Sequence, residues 1–196
     1  MARWQPARAD VIADYAREIL EVHPSGRLVV GLDGIERPEE GAQPSGREAF
    51  AADLAAAIVA AGVPARAIPM GRFAVAPPAA TPERFFDEAA FRAGVLTPYR
   101  RGALEGLEAE RAVLVVSGPF LHFGDLAGVW HTSAWLQLPR AVAVERDEER
   151  LPDLDEAPWT ALVDLAFRRL DARKLANATF DLTDAEHPRR RFEDAC

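Results

Sequence analysis

Leu28-Val29-Val30-Gly31-Leu32-Asp33-Gly34, with Gly41-Ala42-Gln43-Pro44-Ser45-Gly46-Arg47-Glu48 and the helix-forming run 50–61 behind it, decides how the chain is read. An unbroken apolar run opens into glycines, and a helix follows. The second stretch has the spacing of the phosphate-binding motif G-x-x-x-x-G-K-S/T, with Arg47 in place of the lysine and Glu48 in place of the hydroxyl residue. That lysine reaches the terminal phosphates as a compact charge, and the hydroxyl holds magnesium. Neither group is present. The stretch therefore points to a fold more than to an activity.

The surrounding composition narrows the class. With 196 residues, 49% of them hydrophobic, the chain is long enough for one domain with a sizeable core. A net charge of -8 argues against a nucleic-acid binder, which carries a basic face. Arg189-Arg190-Arg191 is too short, and too close to Glu193-Asp194, to change that. Cys196 is the only cysteine, so no intrachain disulfide can form and a reducing, cytoplasmic setting is expected. No apolar run approaches the ~20 residues of a membrane span. The start, Met1-Ala2-Arg3-Trp4, leads into an amphipathic helix over 7–22 rather than a secretory signal.

Beyond the opening stretch, hydrophobic patterning predicts alternating elements. Helices are expected over 7–22, 47–61, 140–150 and 159–175, with one more capped by Asp87 or Thr81 and ending near Leu96-Thr97-Pro98. Strands are expected over 28–32, 65–68, 112–116, 133–138 and 178–182, and the Pro-rich stretch 75–82 as a loop. This order predicts a single α/β domain over 1–196, its mainly parallel sheet flanked by helices on both faces. Ligands bind such sheets at the carboxyl ends of the strands, so the turns after Leu32, Ile68, Val116 and Leu138 are the places to look.

In order along the chain, five segments resemble the bacterial uridine-kinase-like branch of the P-loop kinases: 28–54; Phe86-Asp87-Glu88 through Leu96-Thr97-Pro98; Val113-Leu114-Val115-Val116-Ser117-Gly118-Pro119-Phe120-Leu121-His122; Val129-Trp130-His131 through Pro139; and Asn177-Ala178-Thr179-Phe180-Asp181-Leu182-Thr183-Asp184. The resemblance implies a P-loop fold. It also implies a nucleotide seat at Gly34, Ser45, Gly46, Arg47, Glu48 and Ala49, and a substrate pocket at Phe73, Ser117, Phe120 and His122. Arg47, with Arg146 and Arg150 as lid arginines, would be the catalytic candidates, and ATP and Mg²⁺ the cofactors of an active member. Asp33 and Glu48 are the candidate metal ligands.

The departures fall where the chemistry would be. Arg47 keeps the lysine's charge in a broad planar head. Glu48 stands at a helix start, where a carboxylate is a good structural partner and a rival of phosphate. It could alternatively bind Mg²⁺. The insertion 35–44 lengthens a turn that is tight in the family, and reads as a solvated surface loop. Gly71-Arg72 stands at the second strand end in place of the family's acids, and Ser117 takes the place of another. Asp33 precedes Gly34 as a turn residue would. Glu145 to Arg150 reads as a charged, solvated helix end when the lid role is set aside. Two readings follow: a pseudokinase serving as a ligand- or protein-binding module, or an active divergent kinase transferring the terminal phosphate of ATP to a hydroxyl of a nucleoside or other small molecule. No nucleic acid or membrane partner is expected.

Overall fold

Residues 28–32 carry β-branched and leucine side chains without alternation, and such a strand must be covered on both faces. In the computed structural model, which describes residues 6–39, 41, 43–75 and 80–192, it becomes β1, Arg27–Gly34, the centre of a six-stranded sheet. β2 (Ala65–Pro69), β3 (Ala112–Ser117), β4 (Thr132–Gln137), β5 (Ala178–Asp181) and β6 (Arg189–Arg191) complete it in the order β2-β3-β1-β4-β5-β6. The first five strands run parallel, and β6 pairs antiparallel at the edge.

Register decides which face each side chain meets. Leu136 pairs with Phe180 while Trp135 pairs with Thr179, so Phe180 and Trp135 point to opposite faces. On the first, Phe180 meets Tyr15 of α1 (Arg8–Val22) and Phe50 of α2 (Gly46–Ala60), with ring centroids 4.9 and 5.3 Å apart. On the second, Trp135 meets Phe167 of α6 (Glu156–Arg169) at 5.9 Å. The expected α/β domain, a mainly parallel sheet with helices on both sides, is the observed one.

Three elements differ from expectation. The helix capped by Asp87 does not end at Leu96: Glu88–Phe91 (α3) runs through a π-helical turn, Arg92–Leu96, into Thr97–Arg100 (α4). Proline lacks an N–H, but Pro98 sits at the start of α4 just behind the π-turn, where its effect on the i→i−4 ladder is absorbed. The helix expected over 159–175 starts earlier at Glu156, capped by Asp155, and ends at Arg169, with a separate 3₁₀ turn at Ala172–Lys174. The triple arginine 189–191 is a strand. Of the loop expected over 75–82, residues 76–79 lie outside the described residues, as do Trp4 and Cys196. Among the described residues no helix is long and apolar enough to cross a membrane.

Candidate functional site

The turn after β1 and the start of α2 meet at the carboxyl end of the sheet. Ser45 is the N-cap of α2, and Glu48 closes a capping box: Ser45 Oγ accepts from Glu48 N at 3.3 Å, and Glu48 Oε2 accepts from Ser45 N at 2.9 Å. The next two amides, Gly46 N and Arg47 N, are the ones that face an anion at a phosphate-binding helix. Here they donate to the carboxylate of Glu36, at 3.0 and 2.8 Å. Glu36 is 3% exposed. A Cβ on Gly46 would lie 3.0 Å from Glu36 Oε1, so the glycine leaves the space that the carboxylate fills.

Arg47 is fully buried and faces back into the turn, its Nη1 donating to Gly34 O (3.0 Å) and Glu36 O (2.9 Å). Its Nε and Nη2 have no hydrogen-bond partner among the described residues, and neither has Nη1 of Arg146. That Arg146 nitrogen lies 3.5 Å from the point a Gly46 Cβ would occupy, on the same spot the Glu36 oxygens approach. The Glu36 carboxylate thus sits against a helix terminus in a basic setting.

The insertion is not the solvated loop expected from its glutamates and prolines. Ile35, Glu36 and Pro38 are buried, and only its outer part is exposed. It is tied down from α5 (Arg140–Arg150). Arg150 donates through Nη2 to Arg37 O and to Asp147 Oδ1, the latter at 2.8 Å, and through Nη1 to Gln43 O at 3.4 Å. Asp147, 2% exposed, accepts from Arg37 N at 2.8 Å. One guanidinium therefore holds both shoulders of the insertion. Trp159 of α6 adds a hydrogen bond to Ile35 O at 3.1 Å. Burial pushes the Asp147 carboxyl above its ordinary range, against the pull of Arg37 N and Arg150. Glu156 is raised for the same reason, with the Asp147 charge adding to it.

Arg146 and Arg150 are accordingly not a solvated helix end. Arg146 donates to Leu182 O and Thr183 O, both at 3.1 Å, and Arg150 to the insertion. Asp33, at the end of β1, has both oxygens engaged. Oδ1 accepts from Gly34 N at 2.8 Å in the expected local turn bond, and Oδ2 accepts from Leu121 N at 3.0 Å. The same Oδ2 lies 3.1 Å from His122 Nδ1, and His122 Nε2 lies 3.0 Å from Ser133 Oγ. With its proton on Nδ1, His122 donates to Asp33 and accepts from Ser133. The Asp–His–Ser order is that of a nucleophile relay. Here it is a buried brace, because Ser133 is 2% exposed on a central strand and the small cavity lined by Asp33 does not reach it.

The four residues expected to line a substrate pocket each have packing or bonding surroundings of their own, and none of the cavities described below is lined by more than one of them. Phe120 holds a left-handed backbone (φ 59°), a conformation costing about 1–2 kcal/mol in a non-glycine residue, and packs against Phe85, Phe123 and Trp159. Phe73 packs edge-on to Phe91 at 5.5 Å. His122 belongs to the brace, and Ser117 is buried, its hydroxyl without a hydrogen-bond partner among the described residues. Two cavities touch Ile35 at the end of β1, one lined by Asp33, Gly34 and Phe120 and the other by Asp147 and Trp159, and each holds about 10 Å³. That is room for about one water, where a nucleotide needs some hundreds of Å³. Larger cavities lie elsewhere: about 690 Å³ between α1 and β6, and about 460 Å³ beside Glu83, Glu88 and Asp125. Magnesium does not fit the candidates offered for it. Asp33 is engaged at both oxygens and Glu48 is held in the capping box, and among the described residues no group of three His, Cys, Asp or Glu side chains is arranged to hold a metal ion.

Sequence reasoning missed Glu36 and Asp147. Both stand in runs rich in charge, and only closure of the insertion onto two helices gives them their partners.

No family model matches the sequence, and no curated protein matches it. Solved structures do. A Bacillus stearothermophilus protein provisionally described as a uridine kinase superposes with a TM-score of 0.55 at 15% identity, over 88% of this chain and 98% of its own. The chain shares the fold of that structure. A protein of Silicibacter sp. TM1040, provisionally described as a fructose transport system kinase, gives 0.50 at 22% identity over 78% and 88% of the two chains. The YGR205w protein gives 0.50 at 11% identity over 92% and 98%. In this chain the Glu36 carboxylate takes up the N-terminal amides of α2, groups that at a helix terminus can receive an anion.

Proposed function

We propose that the chain is a pseudokinase: a P-loop kinase-like protein that, in the form described, neither seats a nucleotide nor transfers phosphate, and acts as a binding module. The observation that carries this reading is the Glu36 carboxylate on the amides of Gly46 and Arg47. A nucleotide phosphate would have to displace two charge-assisted hydrogen bonds, each worth about 1.5–3 kcal/mol. Arg47 faces the turn, and the magnesium candidates are engaged, so the parts of a phosphoryl-transfer site are present only as structure. A small molecule or a protein is the partner class such a module would take, in a cytoplasmic setting.

The competing reading, an active divergent kinase using ATP and Mg²⁺, draws on one observation: Arg47 and Arg146 keep buried guanidinium nitrogens that have no hydrogen-bond partner among the described residues. Calorimetric titration of ATP and GTP, with and without Mg²⁺, separates the two. The pseudokinase reading predicts no saturable heat up to millimolar nucleotide. Micromolar binding that is lost in Arg47→Ala would replace it with the kinase reading.

A further inference from the structure

The arginine edge of the sheet is open along its rim and on both faces. β6 is the last strand in the order, and among the described residues the backbone of 189–191 makes no backbone hydrogen bond outside the sheet. Its outward N–H and C=O groups are the kind that an incoming strand pairs with. Arg190 stands opposite Phe180, while Arg189 and Arg191 stand opposite Asp181 and Thr179. Arg190 therefore faces the α1 side, and its two neighbours face the other. A hollow opens on each side. One of about 690 Å³ lies against α1, and one of about 230 Å³ lies between β6, the start of β5 and the 3₁₀ turn at Ala172–Lys174.

The two hollows suit different side chains. Tyr15, Phe180 and Phe192 give the larger one its apolar wall, and Phe192 is 77% exposed. Its charges balance, with Asp14, Glu18 and Glu21 against Arg17, Arg189 and Arg190. Arg190 is held by Glu18 at 2.8 Å and lies over the rings of Tyr15, Phe180 and Phe192. An apolar side chain fits such a place. The smaller hollow is lined by Arg173, Lys174, Arg190 and Arg191 and by no carboxylate. Asp171 and Asp181 pair with Arg173 and Arg191 from outside the lining, and the charge of Lys174 comes on top of those pairs. An acidic side chain fits there.

We infer that β6 is a docking edge for an extended segment of another protein in which acidic and apolar residues alternate. Backbone pairing along β6 supplies the attachment, and the alternation of a strand drops successive side chains into the basic and the apolar hollow. Arginines also guard an edge against pairing, and this guard is selective. A second copy of β6 would set arginine against arginine, which is destabilising, so the occupant is not this chain. Asp14, Glu18 and Glu21 on the α1 wall would repel a phosphate backbone, which disfavours nucleic acid. The inference rests on the binding-module part of the proposed function and gives that module its partner.

Fluorescence anisotropy and hydrogen exchange test this together. The probe is an end-blocked, dye-labelled peptide in which Glu and Val alternate over about six residues, titrated with the full chain. Saturable binding with a Kd of about 100 μM or tighter is expected. At about ten times that Kd, at least one amide within 189–191 should exchange about tenfold more slowly. Lys174→Glu and Phe192→Ser, both at exposed positions, should each weaken binding at least about fivefold. No saturation up to about 1 mM would overturn the inference, as would wild-type affinity in either folded variant. Equal binding of a peptide with the same residues in block order, or binding that leaves 189–191 unprotected, would overturn it too. Silence that gives way to binding once residues 1–5 are removed would assign the edge to the chain's own start. Tighter binding of an oligodeoxynucleotide of equal charge would assign it to nucleic acid, and both results overturn the inference. The two readings fail separately: binding of ATP with Mg²⁺ removes the pseudokinase reading, whereas silence toward the peptide removes only the docking edge.

Discussion

Gly34 has no room for a side chain. A Cβ there would lie 2.9 Å from Leu136 O on the neighbouring strand, a backbone atom that cannot step aside. Gly34→Ala should lose about 1–3 kcal/mol in urea denaturation, from overpacking against the sheet. A second residue-scale cost sits at the buried brace. Removing the imidazole in His122→Ala leaves Ser133 Oγ and one direction of Asp33 Oδ2 unmet, and should cost about 2–4 kcal/mol by the same measurement. His122→Ala retaining wild-type stability would show that the brace contributes nothing. Some of this chemistry is legible in sequence because it is local: Ser45 and Glu48 have the spacing of a capping box, and Asp33-Gly34 that of a turn. Glu36 is not, since its partners are ten and eleven residues away and depend on how the insertion folds back. His122 could be marked as a pocket candidate, but its partners, 89 and 11 residues distant, come from the register of the sheet.

Elements were legible where a local signal was strong, as in the unbroken apolar run of β1 and the Ala- and Leu-rich, capped α2, and less so where a local rule met a tertiary contact. Pro98 reads as a stop, yet the preceding π-turn carries the helix past it. The short, all-arginine β6 has no apolar pattern; pairing with β5 and the ion pairs of Arg190 with Glu18 and Arg191 with Asp181 hold it. These element-to-element contacts carry opposite pH signatures. Asp147, which links α5 to the insertion, is raised by burial, so its contribution is fullest below the ordinary 3.8 and is lost as pH rises through its folded value. Thermal melts from about pH 4 to about pH 7 should show Asp147→Asn gaining stability relative to wild type as pH rises. A difference that stays flat or moves the other way would mean the Arg150 pairing outweighs the burial cost. Glu18, which links α1 to β6, is lowered by its hydrogen bond to Arg190, so its contribution is present above 4.5 and lost as pH falls through the folded value. Glu18→Gln should therefore flatten the acid limb of the same melts, and an unchanged acid limb would show that the pair does not anchor β6.

At the scale of the whole molecule, the parallel order of five strands and the placement of helices on both faces follow from alternating apolar runs, which is why the α/β class could be read before any coordinates. Whether the chain binds nucleotide could not be read this way, because that depends on which carboxylate meets two amides. The consequence is visible in global stability. A ligand at one hundred times its Kd stabilises the folded state by about 2.7 kcal/mol, and for a chain of this length each kcal/mol moves Tm by about 2–4 °C. A kinase with a Kd near 10 μM would thus gain about 5–11 °C from 1 mM ATP with Mg²⁺. With Glu36 seated on Gly46 and Arg47, the expected shift in the wild-type protein is below about 1 °C. A calorimetric melt with and without nucleotide distinguishes these values directly. A shift of several degrees that survives Arg47→Ala would place the nucleotide away from the α2 terminus, and one abolished by Arg47→Ala would mean that nucleotide itself displaces the Glu36 carboxylate.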